Sequence, residues 1–264
     1  FIAVPELFIK VKGLIAYILG VLFFIRVRSR SPQNCHIVVY HTPPVNLYRT
    51  IAFLKKRFDA FSYLLLKDIF PQNAIDLGML KSQGLMHQLF KRDEKKTYSV
   101  ADKIGCMSKA NLNYMVNKFP EYRLKFEVNP NSCITSPVIP NSGVNVAREF
   151  RLVIGGNLGL PQDVVSFVKE MLEITDILTN VELHIAGGGT QSVLLEKTLR
   201  EYSSKNIFFH GKLSPEKFDI LLKNCQVGII LLNPLFTIPN FPSRLLSYMK
   251  NAMPVICYVD DTTD

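Results

Sequence analysis

A chain of 264 residues, 48% apolar and 20% charged, is long enough to bury more than one core, and this composition excludes a disordered or low-complexity protein. Its charge is uneven: residues 1–148 carry 21 Lys and Arg against 9 Asp and Glu, net +12, whereas residues 149–264 carry 10 against 13, net −3. The first part therefore suits an anionic partner such as phospholipid, a lipid diphosphate or nucleic acid, with an ordinary solvated face as the plain alternative.

The first predicted element is Leu14–Ile25, almost wholly apolar and bracketed by Lys10 and Lys12 before it and Arg26, Arg28 and Arg30 after it. It is shorter than the roughly 20 residues of a membrane span and lacks a signal-peptide cleavage site. A helix buried on a sheet is the favoured reading, with a helix lying in a membrane interface as the other. From Cys35 onward short β-branched runs alternate with amphipathic stretches, the signature of parallel βαβ units. Cys35–Tyr40 reads as a strand ending in His41-Thr42-Pro43-Pro44, and Leu47–Phe58 as a basic helix. Strand Phe61–Leu66 ends in Lys67-Asp68, and a charged, polar-faced helix covers Leu85–Tyr98. Strand Lys103–Met107 precedes Ser108, a good cap for a helix over Lys109–Phe119, and Leu124–Val128 closes the series.

Between Asn129 and Val146 lie three prolines, four asparagines and three serines without sustained periodicity, the composition of an exposed connection. The domain boundary is placed there, giving domains over residues 1–148 and 149–264. Beyond it the alternation restarts, with strands at Leu152–Gly155, Val181–Ala186, Ile207–His210, Val227–Leu232 and Pro254–Tyr258 and helices between them. The expected fold class is α/β, two doubly wound, Rossmann-like domains in tandem with a ligand cleft between them. The chain opens at Phe1 inside an apolar stretch and stops at Asp264 just after a strand, so both domains read as incomplete.

In open parallel sheets ligands bind at the carboxyl ends of strands. Gly155-Gly156-Asn157-Leu158-Gly159, Gly187-Gly188-Gly189 and Gly211-Lys212 each follow a predicted strand. A single glycine cluster there is often only a backbone necessity, but three at equivalent ends reinforce one another. In Phe241–Cys257, Ser243 is expected to cap a helix whose free N–H groups, beside the cation of Arg244, make an anion site; the plain alternative is a capped helix with a surface arginine. In the first domain His41 and Asp68 each follow a strand end and are the candidates for acceptor binding or proton handling, against simple turn-holding roles.

His36, His87, His184 and His210 show no ligand spacing, and Asp260-Asp261 has no third ligand, so no metal and no cofactor are expected. The cysteines Cys35, Cys106, Cys133, Cys225 and Cys257 are odd in number and widely spaced, which suggests small buried residues of a reducing, cytoplasmic compartment. The basic residues are not interleaved with aromatics as in a nucleic-acid reader.

From about His36 to its end the chain resembles family-four glycosyltransferases, especially the bacterial branch that builds capsule and O-antigen sugars. The resemblance rests on YHTPP, KDIFPQNAIDLGML, ADKIGCMSKANLNYM, IGGNLGLPQ, NIFFHGKLSPEKFDILLKNCQVGIILL and FPSRLLSYMKNAMPVIC, in the family's order. It implies a GT-B fold, a UDP- or GDP-linked sugar donor held by the second domain, and a membrane-linked saccharide or lipid acceptor held by the first. It further implies retained anomeric configuration and no required metal.

By position, Gly156, Asn157, Gly159, Gly188, Ser243 and Ser247 would line the donor site, with Lys212 and Arg244 carrying the catalysis by stabilising charge on the departing diphosphate. The chain departs from many members in having Ser247 where a glutamate holds the nucleotide ribose, and Asn157 and Gln162 where an Arg and a Lys occupy the first loop. Two other readings stay open: a sugar-nucleotide epimerase or hydrolase on the same fold, and a non-catalytic donor-binding subunit. Peripheral contact with the inner face of the membrane through the basic first domain is part of the expectation.

Overall fold

The computed structural model describes residues 34–133, 149–174, 177–202 and 205–263, together with single helical positions between 18 and 29. The chain forms two compact units. The first holds the described residues up to Pro130, then Leu235–Phe241 and the last few residues; the second holds Asn131–Pro234 and Pro242–Asp260.

The first unit is a parallel sheet in the order β1 (Ile37–Thr42), β2 (Phe61–Leu66), β3 (Lys103–Cys106), β4 (Phe126–Val128). Its helices are α1 (Tyr48–Phe58), α2 (Gln72–Asp76), α3 (Leu85–Val100) and α4 (Lys109–Lys118). In β2 the side chains of Ser62, Leu64 and Leu66 are buried, so one face of a period-two strand lies in the core with Tyr98, Ile104 and Met115. The Ser108 hydroxyl accepts from the Asn111 N–H at 3.1 Å and starts α4, as its sequence suggests.

Two features of this sheet and its helices depart from the sequence reading. His41 lies inside β1, because the strand pairs with β2 through Thr42. Helix α3 buries Asp93 and Glu94 completely, against the expectation of a polar outer face. Most of 14–25 lies outside the described residues; of its described positions Ile18, Leu22 and Ile25 are exposed, and Phe24 meets Phe53 of α1 edge-on at 6.0 Å.

The segment Leu235–Phe241, expected within the second domain, belongs to the first unit. Phe236 and Ile238 are buried in its core. The Asp76 carboxylate accepts from the Thr237 N–H at 2.9 Å and from its hydroxyl, and the Asn111 amide donates to the Pro239 carbonyl at 2.6 Å.

The second unit is a five-stranded parallel sheet ordered β7 (Ile207–Phe209), β6 (Val181–Gly188), β5 (Phe150–Asn157), β8 (Val227–Leu231), β9 (Val255–Tyr258). Helices α5 (Val164–Glu173), α6 (Ser192–Tyr202), α7 (Pro215–Lys223) and α8 (Leu245–Lys250) connect the strands. Alternate residues of β5 and β8 feed opposite cores. Ile154 and Ile229 pack with Val164, Val168 and Leu195, whereas Val153 and Ile230 pack with Leu222, Tyr248 and Met253. Double-faced burial explains why these strands read as unbroken apolar runs. The chain winds outward through β6 and β7 and then returns to the other side of β5, so the winding reverses between β5 and β8.

Among the five free cysteines only Cys106 and Cys225 are buried; Cys133 and Cys257 are exposed and Cys35 is intermediate, which corrects the expectation of five buried ones. No helix among the described residues is long and apolar enough to cross a membrane.

Candidate functional site

The carboxyl ends of β5 and β6 meet as bare backbone. A Cβ on Gly187 would fall 1.8 Å from the Gly156 carbonyl oxygen, and one on Gly189 2.3 Å from that of Leu158. The Leu158 N–H donates to the Gly188 carbonyl at 3.2 Å and the Gln191 N–H to the Leu158 carbonyl at 3.0 Å. Glycine is thus required in these loops by close approach, and Gly156 and Gly187 also have positive φ, +106° and +154°. Gly188 carries the stem of Lys212: its missing Cβ would stand 2.4 Å from the lysine Cε. Gly159 donates its N–H to the Gln162 side chain at 3.2 Å, and the Asn157 amide donates to the same oxygen at 3.3 Å, closing the turn before α5.

Arg244 approaches this loop from α8. Its Nη2 donates to the Asn157 carbonyl at 3.2 Å, while Nη1 is buried and finds no acceptor among the described residues. Burial lowers the guanidinium's pKa, partly offset by the neighbouring Tyr248. The residue as a whole is half-buried, so the guanidinium keeps donor capacity beyond its bond to Asn157.

Ser243 does not play the expected cap. The helix begins at Leu245 with Arg244 in the cap position and no side-chain capping bond. The Pro242 and Ser243 carbonyls instead accept from Leu245 and Leu246, a tight i→i+3 lead-in that draws Ser243 into the turn, where it is exposed. Ser247 lies one turn further on, half-buried, with its N–H on the Arg244 carbonyl at 3.0 Å.

The second unit thus brings together Gly156, Asn157, Gly159, Gly188, Lys212 and Arg244. His41 and Asp68 belong to the first unit, near the ends of the paired strands β1 and β2. The Thr42 hydroxyl donates to the Asp68 carbonyl at 3.0 Å. Although Asp68 has open surface, crowding of its carboxyl raises the pKa, and the charge of His41 pulls it part of the way back.

Two arrangements gave no local signal in the sequence. The Tyr248 hydroxyl is fully buried among backbone groups of β5 and β8. On β6 and beyond β7, the His184 and His210 rings are joined at 2.9 Å between ring nitrogens, with Glu182 at 3.2 Å from His184 and Arg151 at 2.7 Å from Glu182. Among the described residues no group of three His, Cys, Asp or Glu is arranged to hold a metal ion.

No family model matches the chain. Over 260 residues it is 23% identical to a Pseudomonas aeruginosa protein described as a probable glycosyltransferase, WbjE, a match covering 94% of this chain and 63% of the relative. The chain therefore spans less than two thirds of that relative's length. Among solved structures, the pneumococcal O-GlcNAc transferase GtfA with UDP and GlcNAc aligns with a TM-score of 0.64 at 13% identity, covering 89% of this chain and 44% of that one. Anabaena HepE with UDP-glucose aligns with a TM-score of 0.60 at 12% identity, covering 90% and 62%. The lipopolysaccharide outer core galactosyltransferase WaaB aligns with a TM-score of 0.55 at 17% identity, covering 90% and 59%.

Proposed function

We propose that this chain, which carries the fold of the GT-B glycosyltransferases, belongs to an enzyme that moves a sugar from a nucleotide diphosphate to a lipid-linked or saccharide acceptor. The observation that carries the reading is Arg244: one guanidinium nitrogen holds the Asn157 carbonyl and the other lies buried without an acceptor, beside glycine-rich backbone and the Lys212 stem. Backbone N–H groups ahead of α5 and α6, with these two cations, suit a diphosphate.

In the reaction the bond from sugar C1 to the diphosphate oxygen breaks and its electron pair stays with the diphosphate. The acceptor hydroxyl forms the new bond to C1 and gives up its proton to the departing diphosphate. Lys212 and Arg244 stabilise the charge growing on the leaving group, an electrostatic contribution that needs no side-chain nucleophile. Solved structures of the same fold that hold UDP or UDP-glucose support a UDP-linked donor. The resemblance to family four supports retention of configuration, an acceptor in surface polysaccharide synthesis and no required metal. His41 and Asp68 are assigned to the acceptor side, and the basic first part favours an acceptor carrying phosphate.

Sugar transfer by the full-length protein from labelled donors, repeated with Lys212→Ala and Arg244→Ala, tests the assignment; undiminished turnover in both variants removes it. A second reading, a donor-binding subunit without transfer, is favoured by Ser247 at the position where many family-four members carry a glutamate. UDP binding without transfer in the intact protein would select it.

A further inference from the structure

The ladder between β5 and β8 stops early. β5 pairs with β6 as far as Asn157 opposite Gly188, and β8 pairs with β9 as far as Leu231 opposite Tyr258. Between β5 and β8 only Leu152 with Val227 and Val153 with Gly228 are paired. Beyond that point the two strands part, which opens the sheet where its winding reverses and leaves inner peptide groups without a ladder partner.

The Tyr248 hydroxyl sits in the fork. It lies 3.1 Å from the Gly155 nitrogen, 3.2 Å from the Val153 oxygen and 3.2 Å from the Ile229 oxygen, and the residue is fully buried. A hydroxyl can accept from the amide and donate to one of the two carbonyls, so a single side chain replaces the missing rungs. The ring lies over Gly228, where a Cβ would come within 2.6 Å of it. An apolar core needs no phenol oxygen, and burying one is unfavourable unless it is bonded. Burial accordingly raises its pKa, countered in part by the Gly155 N–H.

Tyr248 is one helical turn from Arg244, and the same turn of α8 therefore grips Gly155 through the hydroxyl and Asn157 through the guanidinium. Gly156, with its positive φ, is held between the two. We infer that the Tyr248 hydroxyl is a positioning group: by filling the fork between β5 and β8 it fixes the Gly155–Asn157 loop and Arg244 in the geometry that takes the donor diphosphate. This rests on the donor site proposed above.

Two readouts on Tyr248→Phe test it, amide hydrogen exchange at Gly155 in the ligand-free protein and the dissociation constant for UDP. Both are expected to worsen about tenfold, the effect of one lost buried hydrogen bond. Leu172→Ala, in the core on the other face of the sheet and in the last turn of α5, is expected to lower the melting temperature while leaving UDP affinity, and exchange at Gly155 relative to the other β5 amides, unmoved. Faster exchange with unchanged UDP affinity would make the hydroxyl a sheet fastener only and overturn the inference, as would unchanged exchange.

If the wild-type protein takes no UDP, the donor reading fails on its own, and the positioning role fails with it whatever the exchange shows. Should Tyr248→Phe not fold, 4-aminophenylalanine at position 248 retains a donor for the carbonyls but is a poor acceptor for the Gly155 N–H. Exchange at Gly155 is then still expected to quicken and UDP affinity to fall in a folded protein, and wild-type values of either would overturn the inference.

Discussion

Arg244 Nη2 donates to the Asn157 carbonyl at 3.2 Å while Nη1 of the same guanidinium lies buried with no acceptor among the described residues. A buried guanidinium nitrogen left without an acceptor opposes folding, and a site that needs it for a ligand retains it at that expense. Arg244→Met is therefore expected to leave the melting temperature unchanged or raised while weakening donor binding. Calorimetric melts of the two proteins check this; a fall of several degrees would mean that the guanidinium is structural.

The glycines of the second unit are not equivalent. At Gly187 an alanine Cβ would overlap the Gly156 carbonyl at 1.8 Å, backbone against backbone, and Gly187→Ala is expected to prevent folding of this unit. At Gly188 the obstacle is the flexible Lys212 stem, so Gly188→Ala should fold with the lysine displaced and sugar transfer reduced. Gly211→Ala meets no atom within 4 Å and carries only the strain of φ +64°, about 1 kcal/mol. Circular dichroism with transfer assays on the three variants separates these outcomes.

The His184–His210 pair makes stability depend on pH. Burial, and then the charge of His184, holds the His210 pKa below its usual 6.5. The unfolded chain therefore takes the proton first as pH falls. The contribution is complete above 6.5 and is lost as pH drops from there through the lower folded value. Glu182 acts in a separate window. Burial raises its pKa, but the hydrogen bonds from Arg151 and His184 outweigh that and hold it below 4.5, so its contribution is present above 4.5 and lost below. Melting temperatures between pH 7.5 and 5 should fall in the wild type and fall less in His210→Gln.

Ile238 is only 1% exposed and sits in the core of the first unit, although the stretches flanking Leu235–Phe241 on both sides belong to the second. Ile238→Ala is expected to destabilise the first unit by about 2–5 kcal/mol. Hydrogen exchange should quicken in β2 and β3 of that unit more than in β5 and β6.

The sequence exposed the features that depend on local period. Double-faced burial made β5 and β8 read as apolar runs, and glycines marked the strand ends because backbones meet there. Contacts between distant residues left no such trace. Nothing within ten residues of Tyr248 signals that its hydroxyl fills a fork between two strands, and the His184–His210 pair joins residues 26 apart. Ser243 shows the limit from the other side: a good capping residue stands before a helix, yet the tight lead-in from Pro242 leaves Arg244 in the cap position. Asp93 and Glu94, charged residues on an apparently solvated helix, are buried because tertiary packing overrides surface propensity.

Titration of UDP into the full-length protein by calorimetry, beside Arg244→Ala and Lys212→Ala, bears most directly on the donor site. Binding by the wild type, with affinity lower by about 10- to 100-fold in each folded variant, is the expected result for a lost charged contact. Equal affinity in all three proteins, or no binding to the wild type, would contradict the assignment.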